Sequence, residues 1–277
     1  MNPNPATRLF GLIGHPVAHS LGPVMHNAAF RALSLNAIYL AFDTENPAGC
    51  LAGMRAMKIQ GLSVTLPHKT AILPFLDRVD ETAERIGAVN TVVNDSGRLV
   101  GLNTDASGVL RAIRTRVEPR GLNVLVAGAG GVARAAAFAL TEAGARVMIT
   151  NRTASRGKAL ARELGLSFVS TSEAPYHEAD ILVQATSAGM EGTLPGIPLP
   201  LEILRPGLVV METVYRPQRT VFLEEARNMG CRVIEGWEMF VRQGADQFRL
   251  WTGLEAPMEV MRNAVIECSR TDPGSVP

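Results

Sequence analysis

The chain is poor in cysteine, lysine and aromatic residues and carries almost no net charge. Cys50, Cys231 and Cys268 are odd in number and far apart, which excludes a disulfide framework and the close Cys spacings of a zinc module. The formal charge is only +1, so the basic surplus of a broad nucleic-acid footprint is missing. No run approaches the roughly 18 uninterrupted apolar residues of a membrane span. Met1-Asn2-Pro3-Asn4-Pro5 lacks the basic and apolar regions of a secretory leader. A reducing, cytoplasmic setting is therefore expected, with neither nucleic acid nor membrane as partner. Of 27 Lys and Arg, only Lys58, Lys69 and Lys158 are Lys. Each invites a question, because an ammonium can readily lose its proton and a guanidinium cannot. What remains is ample: 47% hydrophobic against 19% charged residues excludes disorder, and 277 residues suit two domains.

Strand-like and helix-like segments alternate throughout. Strands are expected at 8–13, 37–42 and 60–65, helices at 22–34, 47–57, 70–77 and 81–86, and a hairpin at 89–93 and 98–101 around Asn94-Asp95-Ser96-Gly97. After a helix over 106–115, Pro119 and Gly121 precede the apolar stretch 122–127, which reads as a strand buried on both faces of a parallel sheet. Helices at 131–143, 154–164 and 219–229 alternate with strands at 146–150, 167–169, 181–185, 208–211 and 232–234. The pattern is α/β: a mixed-sheet domain over 1–105, then a doubly wound, Rossmann-type domain over 106–236. Residues 237–277 read as helices only.

Gly128-Ala129-Gly130-Gly131-Val132-Ala133 follows an apolar strand and opens a helix. In that context Gly128 permits a tight turn, Gly130 lets backbone approach a pyrophosphate, and Ala133 allows close helix–strand packing. The helix N-terminus supplies unpaired N–H groups to the phosphates. A dinucleotide without a 2′-phosphate would call for Asp or Glu at the end of the next strand. Here stand Asn151, Arg152, Thr153 and Arg156, and two guanidiniums favour NADP.

Four of five histidines, His15, His19, His26 and His68, fall in the first 70 residues. No Cys or tight carboxylate cluster accompanies them, and zinc wants three or four converging ligands, so no metal is expected. The loop Gly14–Pro23 reads better as a carboxylate-binding turn before a helix.

The chain resembles the shikimate dehydrogenase family over almost its whole length. The matching stretches are Gly14-His15-Pro16 with His19-Ser20, Val64-Thr65-Leu66-Pro67-His68-Lys69, Gly87-Ala88-Val89-Asn90-Thr91 and Asn103-Thr104-Asp105. The glycine loop follows, then Ala185-Thr186-Ser187-Ala188-Gly189-Met190, Tyr215-Arg216-Pro217 and the segment from Gly236 to Gly244. The resemblance implies an NADP-linked, reversible reduction of 3-dehydroshikimate to shikimate in aromatic amino-acid biosynthesis. It implies Lys69 and Asp105 as a catalytic dyad and Ser20 on the substrate carboxylate. Thr65, Asn90, Asp105 and Gln243 would meet ring hydroxyls, with Tyr215 nearby, and Thr186, Thr213 and Gly236 would lie near the cofactor. It also implies that helices 237–277 complete the first domain, and a homodimer is the assembly considered. On residue type alone, Lys69 also reads as an exposed helix-start residue and Asp105 as a helix N-cap, though the rarity of Lys here makes Lys69 the more notable.

Departures from the family pattern are specific. Gly22 stands where a second Ser usually binds the carboxylate, a loss expected to cost about 1.5–3 kcal/mol and to open space beside ring carbon C1. Quinate carries an extra hydroxyl there, so a quinate or dual-specificity enzyme is the alternative, with a non-catalytic metabolite sensor behind it. Ser63, Ala106, Gln184 and Glu212-Thr213 replace other common residues.

Overall fold

A computed structural model describes residues 3–173, 178–191 and 196–271. The opening residues 1 and 2, and the end of the expected helical tail at 272–277, lie outside them. The chain divides into two compact units: one runs to Thr104 and resumes at Val241, the other is Asp105–Phe240.

In the first unit, β1 (Arg8–Gly14), β2 (Ala37–Asp43), β3 (Gly61–Val64), β4 (Arg78–Val79), β5 (Thr91–Asp95) and β6 (Arg98–Leu102) form one sheet, in the order β2-β1-β3-β5-β6-β4. β1 pairs parallel with β2 and β3, while β5 runs antiparallel to β3 and β6. The β5–β6 hairpin turns where expected, with Gly97 at φ 94° and its N–H donated to the Asn94 side chain at 2.7 Å. On one face, α2 (Pro47–Ala56) helps close a core around Ile13, Leu51, Met54, Leu62 and Val92. On the other, α1 (Gly22–Ala32) and the C-terminal helices enclose Phe10, Phe30, Phe248 and Trp251, whose rings lie 5.3–5.6 Å apart. Trp251 donates its Nε1–H to the Val92 carbonyl at 3.1 Å, tying the end of the chain to the middle of the sheet.

The helix expected over 70–77 is instead α3 (His68–Ala71) and a 3-10 turn at Leu73–Phe75. Pro74 cannot donate an amide hydrogen to a continuing helix, which explains the break. The two-residue β4 that follows is too short to show periodicity. α4 (Glu81–Ile86) starts on Asp80, whose carboxylate caps the N–H groups of Thr82 and Ala83.

In the second unit, α5 (Asp105–Ile113) precedes a wholly parallel sheet. Its strands are β7 (Asn123–Ala127), β8 (Arg146–Thr150), β9 (Ser167–Phe168), β10 (Ile181–Gln184), β11 (Val209–Glu212) and β12 (Arg232–Ile234), ordered β12-β11-β10-β7-β8-β9. α6 (Gly131–Glu142), α7 (Ala154–Glu163) and α8 (Val221–Asn228) connect strands. Separate apolar cores cover the two faces, as a doubly wound sheet requires. The order reverses between β7 and β10, so ligand chemistry is expected beyond their carboxyl ends. α9 (Gly236–Thr252) begins in this unit and ends in the first, where α10 (Met258–Thr271) follows it. Among the described residues, no helix is long and apolar enough to cross a membrane.

Candidate active site

The first unit gathers polar side chains from β1, β3, β5 and α9. The loop after β1 is pinned at its start: His15 Nδ1 lies 2.5 Å from Asp43 Oδ1, and Asp43 Oδ2 accepts the Val17 N–H at 3.1 Å. The bond to Asp43 raises the His15 pKa and lowers that of Asp43. Ser20 ends this loop, half-buried, its Oγ accepting the Gly22 N–H at 3.2 Å. Leu21 offers α1 no side-chain cap.

The space beside Gly22 is not open. A Cβ there would lie 3.3 Å from Ser20 Oγ and 3.4 Å from the Tyr39 hydroxyl. The tyrosine ring of β2 is thus the neighbour that a side chain at position 22 would meet. Tyr39 OH in turn donates to Ser63 Oγ at 2.6 Å.

Thr65 and Lys69 are half-buried, either side of the turn into α3. That turn is fixed twice, by His68 Nε2 against the Thr44 carbonyl at 2.6 Å and by the Lys69 carbonyl, which accepts the Val89 N–H at 2.7 Å. The second bond ties Lys69 to the segment carrying Asn90. Asn90 Oδ1 accepts the Thr104 N–H at 2.7 Å, and Asn90 Nδ2 donates to Thr104 Oγ1 at 2.9 Å and Gln243 Oε1 at 3.2 Å. The sequence motifs that carry Asn90, Thr104 and Gln243 thus meet in one buried cluster. Asp105, next along the chain, begins α5 and is only 3% exposed.

The histidines go to separate places. His15 pairs with Asp43, His68 holds the Thr44 carbonyl, His19 stands half-buried in the loop, and His26 stacks on Tyr39 at 4.5 Å. Among the described residues, no three His, Cys, Asp or Glu are grouped to share an ion.

In the second unit, Gly128 takes φ 132°, and a Cβ on it would lie 2.6 Å from the Ala185 carbonyl. Gly130, by contrast, faces open space and begins α6 with no side-chain cap. The first-turn N–H groups, those of Gly131, Val132 and Ala133, thus receive no side-chain cap, with Ala129 beside them in the chain. Ala133 is fully buried against the strand, the packing expected of it. Asn151 holds the turn after β8 by donating to the Thr153 carbonyl at 2.9 Å. Arg152 and Arg156 are exposed, and Arg152 lines a cavity of about 390 Å³ with Thr171 and 197–201. Uncapped amides and exposed guanidiniums of this kind are suited to a phosphorylated dinucleotide.

Gln184 and Glu212 are register partners at the ends of β10 and β11. Gln184 Oε1 accepts the Thr186 N–H at 2.7 Å, and Glu212 Oε1 accepts the N–H groups of Thr213 and Val214 at 2.8 and 2.9 Å. They therefore shape the loops that carry Thr186 and Thr213. Burial pushes the Glu212 carboxyl up to about 7, against the bonds it accepts. Tyr215 stacks on Phe240 with centroids 4.1 Å apart. A Cβ on Gly236 would fall 2.1 Å from the Val214 carbonyl, so α9 begins against backbone.

Tyr39 and Gln247 carry no motif and were not singled out from the sequence. Tyr39 sits in an apolar strand and reads as core. Gln247 had a signal, its four-residue spacing from Gln243 on one helix face.

Three family models match the chain. They are the shikimate dehydrogenase substrate binding domain over residues 12–92, shikimate / quinate 5-dehydrogenase over 112–191, and the shikimate 5′-dehydrogenase C-terminal domain over 236–266. Shikimate dehydrogenase (NADP(+)) of Pyrococcus furiosus is 44% identical over 268 residues, covering 95% of this chain and 97% of that protein. The enzyme of the same name from Moorella thermoacetica is 44% identical over 283 residues, covering 97% and 96%. Among solved structures, shikimate 5-dehydrogenase of Thermus thermophilus, in complex with NADP(H) and shikimate, superposes with TM-score 0.87 at 45% identity over 94% of this chain and 99% of that one. Quinate dehydrogenase of Corynebacterium glutamicum, in complex with NAD, gives TM-score 0.85 at 33% identity over 94% and 99%.

Proposed function

The chain belongs to the shikimate dehydrogenase family, and from that premise we propose how its own residues perform the reversible, NADP-linked reduction of 3-dehydroshikimate to shikimate. The activity itself follows from identity of about 44% with NADP-dependent relatives over nearly the full length. The residue assignment is supported above all by the buried meeting of Asn90, Thr104 and Gln243 beside the turn that bears Lys69.

NADPH, when bound, supplies the hydride for the ketone carbon. The Lys69 ammonium stabilises the negative charge that develops on oxygen and gives that oxygen its proton. In the reverse direction Lys69 accepts the hydroxyl proton. Asp105 completes the dyad as a carboxylate that balances the ammonium. Ser20, with the backbone around Gly22, binds the substrate carboxylate, and Thr65, Asn90, Asp105 and Gln243 bind ring hydroxyls, with Tyr215 assigned to the same substrate. On the cofactor side, Gly128–Ala133 would hold the pyrophosphate, and Asn151, Arg152, Thr153 and Arg156 the 2′-phosphate end. Thr186, Thr213 and Gly236 would flank the nicotinamide end. The open space at Gly130 and the uncapped α6 support that fit.

A cytoplasmic location is supported by the three cysteines, Cys50, Cys231 and Cys268, which form no disulfide with one another. A homodimer is supported by β2, a sheet edge that exposes Leu40, and is tested by sedimentation.

The deciding experiment is a panel of shikimate and quinate against NADP and NAD, read by reduced-nicotinamide absorbance. Shikimate with NADP is expected to give the highest kcat/KM. Quinate preference would move the enzyme to the other branch of its family, and turnover of neither acid would overturn the reading.

A further inference from the structure

Gln247 lies one helical turn beyond Gln243, is 2% exposed, and uses both ends of its amide. Its Nε2 donates to the Asn90 carbonyl at 3.1 Å and to Thr91 Oγ1 at 3.0 Å, while its Oε1 accepts from Ser63 Oγ at 2.8 Å. Ser63 and Thr91 are themselves register partners across β3 and β5, so Gln247 straddles that strand pair.

A backbone carbonyl can only accept, so the Gln247 amide has one allowed orientation. Ser63, giving its proton to Gln247, accepts from Tyr39 OH. Thr91, accepting from Gln247, gives its own proton to Asn90 Oδ1 at 2.8 Å. The Thr104 N–H points at the same oxygen, which leaves Asn90 Nδ2 to donate to Gln243 Oε1. Every donor in the series from Tyr39 to Gln243 therefore runs the same way.

We propose that Gln247 is a positioning residue for the substrate site, holding Thr91 against Asn90 and so reinforcing the amide orientation of Asn90 and Gln243 to which Thr104 also contributes. This rests on the assignment of Asn90 and Gln243 to substrate hydroxyls. Gln243 thus meets Asn90 through its amide oxygen. Ser63, an outlier from the family pattern, becomes the acceptor that lets the Tyr39 hydroxyl, seated beside Gly22, join the same series.

The test compares wild type, Gln243→Ala, Gln247→Leu and Thr91→Val, and the double variant Gln243→Ala/Gln247→Leu, in steady-state shikimate oxidation with NADP. Gln247→Leu is expected to raise the KM for shikimate by at least about 10-fold, with kcat reduced less and the KM for NADP unchanged. In the Gln243→Ala background the same change should add less than about 2-fold, because its effect acts through Gln243. Thr91→Val keeps a β-branched shape and breaks the link, so a KM raised about 5-fold is expected. It also decides the matter if the Gln247 variant does not fold. A full, multiplicative effect of Gln247→Leu in the double variant, or an unmoved KM in Thr91→Val, overturns the positioning role. If Gln243→Ala itself leaves the KM unchanged, the substrate-site assignment falls, and this inference with it.

Discussion

At the scale of single residues, a guanidinium cannot stand in for Lys69, because it holds charge but barely exchanges its proton. Lys69→Ala is expected to lower kcat by at least about 10²-fold with the KM for NADP near wild type, and Lys69→Arg should recover little. Wild-type turnover in the Arg variant would remove Lys69 from proton transfer. The exposed Arg152 and Arg156 make a separate claim on the cofactor. Replacing both with Ala should weaken NADP by at least about 10²-fold and hardly change NAD, since each charge-assisted contact is worth about 1.5–3 kcal/mol and only NADP carries the phosphate. Equal losses for the two cofactors would refute the assignment. The motifs that carry Asn90 and Gln243 stand out in the sequence as an ordered series, and the structure brings those two side chains together. The setting of Gly22 was not legible there. Glycine there reads as a missing hydroxyl, whereas the structure brings in a hydroxyl from Tyr39, 17 residues further on, through strand pairing that no local pattern reports.

Elements carry the glycine loop, and its two critical glycines should fail differently. At Gly130 a Cβ meets nothing within 4 Å, so Gly130→Ala should change stability by less than about 0.5 kcal/mol. The same Cβ intrudes where phosphate approaches α6, so the KM for NADP should rise at least about 10-fold. At Gly128 a Cβ would press on the Ala185 carbonyl, from a φ that side chains avoid. Gly128→Ala should therefore cost at least about 1–3 kcal/mol in denaturant unfolding, whatever it does to binding. Similar stability losses in the two variants would mean that the turn is not built as described. Most elements could be read from hydrophobic period and caps, the parallel core strands best, since runs such as Val124-Leu125-Val126-Ala127 and Leu208-Val209-Val210-Met211 leave few alternatives. The stretch after Lys69 could not. Pro74 stands inside an otherwise helical pattern, and a two-residue strand such as β4 exists only because β6 is there to pair with it.

The whole molecule responds to pH through two buried groups, one in each unit. His26 is 1% exposed, and burial lowers its pKa from 6.5 to about 3, while burial raises Glu212 from 4.5 to about 7. Neither was legible as a titrating group. A histidine on an apolar helix face and a glutamate at a strand end acquire their surroundings only when distant segments pack, here Tyr39 and Trp251 around His26. The signs follow from linkage. Below pH 6.5 the unfolded chain protonates His26 and the folded chain does not, so stability falls with pH until about 3, by up to roughly 5 kcal/mol. For Glu212 the folded state holds the proton longer. Its contribution is fully present below 4.5 and is lost as pH rises to about 7, by up to roughly 3 kcal/mol. Between 4.5 and 6.5 the two slopes oppose each other, so in a cooperative transition stability should be flat there and fall on both sides. His26→Phe keeps an aromatic ring stacked on Tyr39 and removes the proton site. It should remove most of the acid limb of Tm against pH and leave the neutral limb in place. Glu212→Gln should do the reverse, removing the fall in Tm above pH 6.5 and leaving Tm to rise with pH up to about 6.5, where the His26 slope is no longer opposed. An acid limb unchanged in His26→Phe would show that the first unit's acid sensitivity resides in other groups.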